Sequence, residues 1–350
     1  MSSRFPWITA PLIVGAPMRV MSGPALAVAV SAAGGLGFIG PAVQTRKMRE
    51  DLEEARKLIK DTPKLSQEFV KSSTLPIGLG FQLWSDDLAT AIELVREYQP
   101  CIAWLYAPND DVKDFIHWSS EIRRASSKTA IWIQIGTVAE VQRLLEMPKL
   151  PDAVVVQGAE AGGHGRVDDG IGLITLLPEV ADIVRNSGHK LTLIAAGGIA
   201  DGRGVAAALC LGADGIAMGT RFLAATEARI NCGYQQEIVR ATDGGVSTTR
   251  TLLYNKLRGT VGWPKQYSPR TIINRSYIDH QNGVSFEELK VLHDAASTKD
   301  DLGWGLEGRL ATYAGASVGL IKNVESAEAL VRDIQREAKL ILGRPYAAKV

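Results

Sequence analysis

Eight short runs of apolar, β-favouring residues, each followed by a helix-like stretch, constrain this chain more than any other feature. The runs fall at 12–15, 36–39, 77–81, 102–106, 130–135, 153–156, 191–195 and 215–217. They are apolar throughout rather than alternating with polar residues, the pattern of strands covered on both faces in a parallel sheet. Helical patterning fills the gaps, at 24–33, 47–60, 87–98, 112–124, 138–145, 173–186 and 204–211. The repeat predicts an α/β fold: a (β/α)8 TIM barrel with a smaller inserted lobe near the C-terminal end. Such a barrel takes about 250 residues, so roughly a hundred of the 350 are left over. The irregular stretch 230–304 accommodates them as a substrate-covering lobe, leaving 1–229 and 305–350 for the barrel. A helical pattern at 326–342 is expected to close its outer ring.

Charge narrows the partners. With 39 Lys+Arg against 38 Asp+Glu the formal net charge is +1, and no basic cluster offers a field to nucleic acid or an anionic membrane. Residues 20–45 carry no charge and are long enough to span a bilayer. Gly23, Pro24, Gly34, Gly35, Gly37, Gly40 and Pro41 break that run into one helix and one strand. Cys101, Cys210 and Cys232 form neither a disulfide framework nor a zinc site, and an odd count suits a reducing compartment. A cytoplasmic location is therefore expected. The N-terminus lacks an apolar signal core and the chain ends Ala-Lys-Val, not the peroxisomal SKL. Oligomeric state stays open, a homo-oligomer included.

Glycine makes up 35 of 350 residues, above the usual share of about 7%, and much of the excess sits just past strand ends. In a barrel those positions form the face that carries active sites. After the seventh strand come Gly197 and Gly198, and after the eighth Gly219 and Thr220, the usual place of a phosphate site in this fold. Glycine lets backbone N–H groups approach phosphate oxygens, and a helix starting near Gly202 would add its positive end. Tight βα turns alone would explain the same glycines. Between the sixth strand and its helix, the run 157–165 (QGAEAGGHG) places His164 on an open, small-residue loop. Imidazole titrates near neutrality and can take a proton from carbon without a metal. His117, His189, His280 and His293 lack such a setting and read as surface or structural residues.

Two motif matches fail on context. Residues 35–40 satisfy G-x-G-x-x-G, but a helix precedes them, they overlap a strand and Pro41 follows, the wrong order for dinucleotide binding. Residues 315–319 satisfy G-x-S-x-G around Ser317, yet no histidine follows His293 to complete a hydrolase triad.

Four segments, 13–18 (IVGAPM), 158–164 (GAEAGGH), 195–199 (AAGGI) and 213–222 (ADGIAMGTRF), resemble in content, order and spacing the flavin-dependent nitronate monooxygenases, or 2-nitropropane dioxygenase-like family. The likeness resumes at 313–321. The resemblance implies an FMN-binding TIM barrel with a smaller second domain, acting on a small nitro or nitronate substrate with O2. It places Ala16, Pro17 and Met18 against the flavin ring, Gln134 beside it, and Gln157, Gly162 and Gly163 near the ring or phosphate. Gly197, Gly198, Gly219 and Thr220 would hold the phosphate, and His164 would be the catalytic base. Gln82 falls where many relatives carry a Gly-Val-Asn stretch, a departure that leaves its role slight. Tyr254, Trp263, Tyr267 and Trp304 are candidate wall residues from the lobe. NAD(P)H-dependent quinone and enoyl-thioester reductases share the barrel and the Gly-His loop, and a non-catalytic phosphate-ligand sensor would share the glycines.

Overall fold

The computed structural model describes residues 4–344; the terminal tripeptide read above lies outside them. Eight strands pair in parallel as one sheet: β1 (Leu12–Gly15), β2 (Phe38–Ile39), β3 (Leu75–Gln82), β4 (Pro100–Tyr106), β5 (Ala130–Ile135), β6 (Ala153–Gln157), β8 (Thr192–Ala196) and β9 (Gly215–Met218). The strand β7 (Gly163–Arg166) intervenes in sequence but belongs elsewhere. β1 pairs with β9, Ile13 opposite Ile216. The ring closes where Val14 bridges Leu36, with Leu36 N–H donating to the Ile13 carbonyl at 2.9 Å and Gly15 N–H to the Leu36 carbonyl at 3.0 Å. This is the TIM barrel that the apolar runs predict, and each of the eight lands on a strand.

Local chemistry sets the helices. Thr137 and Glu140 make a reciprocal capping box at the start of the helix Val138–Leu145. Asp87 caps Leu88–Tyr98 and Ser326 caps Ala327–Leu342. That last helix packs on Gly202–Cys210, and a Cβ on Gly202 would stand 2.6 Å from the Ala338 nitrogen. Gly37 likewise lets the helix Pro24–Ala32 lie on the sheet, for its Cβ would meet the Ala27 carbonyl at 1.9 Å. The 35–40 glycines thus serve packing. One helix the periodicity misses, Pro63–Ser72, buries only Leu65 of its side chains.

The barrel interior is filled by side chains, with Phe38, Trp104 and Trp132 in mutual contact at centroid separations of 5.3–5.9 Å. Each such pair adds roughly 0.5–1.5 kcal/mol beyond its buried area. No helix among the described residues is long and apolar enough to cross a membrane. Past residue 230 lie several short helices and a second sheet, in which β10 (Thr248–Arg250), β11 (Tyr267–Ile272) and β7 pair antiparallel. Tyr234, Ile238 and Ile272 from this region share a buried cluster with Leu223, Ala224 and Val318 of the barrel's rim.

Candidate active site

A cavity of about 380 Å3 opens at the C-terminal ends of the strands, and the twelve residues that the resemblance assigns to flavin, phosphate or base all line it. Ala16, Pro17 and Met18 follow β1; Gln134 and Gln157 lie at the ends of β5 and β6; Gly162, Gly163 and His164 enter β7; Gly197 and Gly198 follow β8; Gly219 and Thr220 follow β9. Gly197 and Gly198 take φ of 95° and 74°, a region closed to most residues. A Cβ on Gly197 would also stand 2.9 Å from the Gly158 carbonyl oxygen. The Thr220 hydroxyl accepts from Gly315 N–H at 3.0 Å and keeps its own proton to donate.

One expectation is corrected at this end. The helix Gly202–Cys210 offers no free positive terminus, because the Asp201 carboxylate accepts from Arg203 and Gly204 N–H and Glu337 accepts from Gly202 N–H at 2.8 Å. Carboxylates already satisfy the donors that an external phosphate would need.

The second correction concerns His164, which sits in a strand and not on an open loop. β7 pairs with β11, His164 opposite Pro269. Gly-His-Gly-Arg carries no strand signature, and its partner lies about a hundred residues on, so the pairing is non-local. The imidazole stacks on Trp263 with centroids 3.5 Å apart and planes within 6°. Its Nε2 lies 2.9 Å from the Asn255 side-chain amide, whose Oδ1 otherwise has no partner; with the amide turned so that Oδ1 accepts from Nε2–H, the lone pair of Nδ1 is left free to take a proton. The Tyr106 hydroxyl donates to the His164 carbonyl at 2.7 Å. Burial, then the charges of Arg250 and Arg258, push its pKa from 6.5 down to about 3. Near pH 7 the ring is therefore neutral.

Arg250 straps the loop before β7, donating to the carbonyls of Gly163 (3.2 Å), Ser268 (2.6 Å), Ala159 and Ala161 (3.1 Å each). Burial, reinforced by Arg270 opposite on β11, lowers its pKa to about 10. Gln134 accepts from Trp104 Nε1 at 3.0 Å, which ties it to the barrel floor and leaves its amide N–H groups for the cavity. Gln82 lines the cavity with a buried Oε1 that has no partner. Of the four aromatic wall candidates, Trp263 lines the cavity. Tyr254 instead hydrogen-bonds Asn274, Tyr267 packs edge-on against Tyr106, and Trp304 packs on Tyr234. Asn255, Arg250 and Arg258 escape a sequence reading because they lie in an unpatterned segment. Tyr313, another lining residue, carries a signal in its YAG triplet. Ser317 also lines the cavity, in the single-turn helix Ala316–Leu320 rather than at a strand-to-helix elbow. The described residues hold no cluster of His, Cys, Asp and Glu suited to a metal ion.

Known proteins share this architecture. The chain is 52% identical to the nitronate monooxygenase npaC of Metarhizium robertsii, an alignment covering 98% of this chain and 95% of that one. It is 33% identical to a nitronate monooxygenase of Neurospora crassa, covering 97% and 92%. Among solved structures, FabK from Thermotoga maritima superposes with a TM-score of 0.71 at 26% identity, covering 97% of this chain and 96% of that one. A nitroalkane oxidase from Streptomyces ansochromogenes shares the fold at the same TM-score and 23% identity, covering 97% of each chain. The nitronate monooxygenase family profile matches residues 5–337, and the chain belongs to that family of oxidoreductases.

Proposed function

We propose that this protein is an FMN-dependent nitronate monooxygenase that converts nitronates and nitroalkanes, with O2, into carbonyl compounds and nitrite. The observation that carries the reading is a single cavity in which a glycine cradle, a wall of apolar and amide side chains and a neutral histidine meet. Its volume of about 380 Å3 falls within the usual range for small-molecule sites. The orphaned Oε1 of Gln82 is an acceptor in want of a donor, as a flavin ring N–H would be.

Ala16, Pro17 and Met18 lie against the ring in this reading, and Gln134 and Gln157 reach its polar edge. Gly197, Gly198, Gly219 and the Thr220 hydroxyl hold the phosphate, with Gly162 and Gly163 keeping the intervening backbone close. FMN supplies the redox chemistry when bound, so that two nitronate ions and one O2 balance two carbonyl compounds and two nitrite ions. His164 takes the α-proton of a neutral nitroalkane, for which the unprotonated ring is the competent form. The cost of a cationic ring beside Arg250 and Arg258 is offset by the nitronate anion formed next to it. Residues 230–304, joined by the strand 163–166, cover the substrate and exclude bulk water, while the rest of 4–229 and 305–344 supplies the cofactor-binding barrel.

The test is the visible spectrum of the purified protein, taken anaerobically before and after a small alkyl nitronate. A flavin spectrum that bleaches, with FMN identified by mass, supports the reading. Bleaching by NADH but not by nitronate would transfer the assignment to the flavin reductases, and a colourless protein that cannot be reconstituted with FMN would end it. His164→Asn is expected to retain FMN and lose turnover of neutral nitroalkanes; unimpaired turnover would remove the base assignment.

A further inference from the structure

Two arginines line the cavity without an ion pair to any carboxylate among the described residues. Arg19 follows the β1 loop, and its guanidinium reaches only main-chain oxygens, Ala42 at 3.4 Å and Val43 at 3.3 Å. Arg258 ends the short helix Leu253–Arg258 and donates to the Tyr313 hydroxyl at 2.9 Å, its guanidinium 5.6 Å from that ring's centroid. Of the other cations of this region, Arg166 pairs with Asp169 and Glu140, Arg221 with Glu325 and Arg229 with Asp51, whereas Arg250 and Arg270 direct their donors to main-chain oxygens and the Thr248 hydroxyl. Asp86 attracts Arg19 through space without forming an ion pair, its two oxygens accepting from Thr45 Oγ1 and Gln82 N–H, and Arg258 has no such neighbour among the described residues. The two guanidiniums repel each other and both repel a proton on His164. A pair of like charges facing one cavity is unfavourable unless an anion comes between them.

We propose that Arg19 and Arg258 form an anion-selecting mouth, which gathers the substrate as a pre-formed nitronate in preference to the neutral nitroalkane. The proposal rests on the nitronate reading above and adds what fixes its substrate form. Both heads remain partly solvated, so they act on capture more than on the reacting atoms. Fixed charge at a cavity mouth raises the local concentration of an oppositely charged ligand and its on-rate by about tenfold or more, an effect that falls with ionic strength.

The test uses the flavin-loaded enzyme and Arg19→Gln, Arg258→Gln, the double variant and Arg258→Lys. The double variant should lose about tenfold in kcat/KM for a pre-formed alkyl nitronate. Its kcat/KM for freshly dissolved neutral nitroalkane should not fall with it, since removing the two charges eases protonation of His164, and the salt dependence of nitronate capture should vanish. Arg258→Lys, which keeps the charge, should keep most of both. Equal losses for ion and neutral substrate, or an unchanged salt slope, would overturn the proposal. A second measurement separates it from the reading it rests on: calorimetric titration with nitrate, a planar oxyanion that is not a substrate. Weaker nitrate binding in the double variant supports the mouth even if nitronate is not turned over, and equal affinity overturns it even if nitronate is.

Discussion

Acid should destabilise this protein through one side chain, and the size of the effect follows from the site. His164 has a folded pKa of about 3 against an ordinary 6.5, so the folded state holds fewer protons than the unfolded state between those values. Its contribution is therefore fully present above pH 6.5 and is lost as the pH falls toward 3. At about 1.36 kcal/mol per unit the whole contribution is near 5 kcal/mol, and roughly 2 kcal/mol of it is lost by pH 5. Asp86 works in the opposite sense, because burial pushes its pKa up to about 6 and the folded state gains a proton on acidification. Comparing the native protein with His164→Asn cancels that term. Urea unfolding of both at pH 7 and pH 5, with flavin content held equal, should show the native protein losing about 2 kcal/mol more than the variant. Equal losses would refute the placement of a half-buried, neutral, arginine-flanked imidazole.

Three further outcomes follow from the same geometry. Trp263→Leu strips the stacked face from His164 and admits water, so the histidine's NMR titration midpoint should rise by about one unit or more toward the ordinary value; an unmoved midpoint would separate the stack from the depression. Gly198→Ala forces a Cβ onto a φ of 74° and to 3.0 Å from Glu160 Cβ. A strain of about 1–2 kcal/mol should weaken FMN roughly tenfold in equilibrium dialysis while circular dichroism holds. Gly78→Ala would drive a Cβ to 2.2 Å from the Phe38 ring and disturb the Trp104–Trp132 contacts. A loss of about 1–3 kcal/mol is expected in urea unfolding, and a neutral result would show that the barrel floor yields more readily than its packing implies.

The barrel was legible because its strands are buried on both faces, so their composition alone announces them. Val154, Val155 and Val156 need no alternation to be recognised, and Pro24, Asp87 and Thr137 mark helix starts that the structure keeps. The cavity lining was legible for a related reason: barrel strands all point their C-terminal ends one way, so glycines and amides past those ends converge. What escaped was long-range or unpatterned. The strand at 163–166 exists only because 267–272 arrives beside it, and nothing within Gly-His-Gly-Arg foretells that. Asn255 and Arg250 meet His164 and its loop by the same route, from a segment with neither period 2 nor period 3.6. Pro63–Ser72 was missed because its core-facing stripe is only two residues long, Leu65 and Phe69 four apart, too short to show a period.

The pairing of β7 with β11 makes the histidine part of its own cover. Four consecutive register pairs, from Tyr267 with Arg166 to Arg270 with Gly163, bind the two, and Asn255 and Trp263 grip the ring from the same side. A cover that swung away would break that ladder or carry the imidazole with it. In the proposed mechanism, admission of bulk solvent and possession of the base thus become mutually exclusive states. Under that mechanism an uncovered barrel could no longer deprotonate a neutral nitroalkane, because the same hydrogen bonds that build the strand hold the imidazole over the cavity.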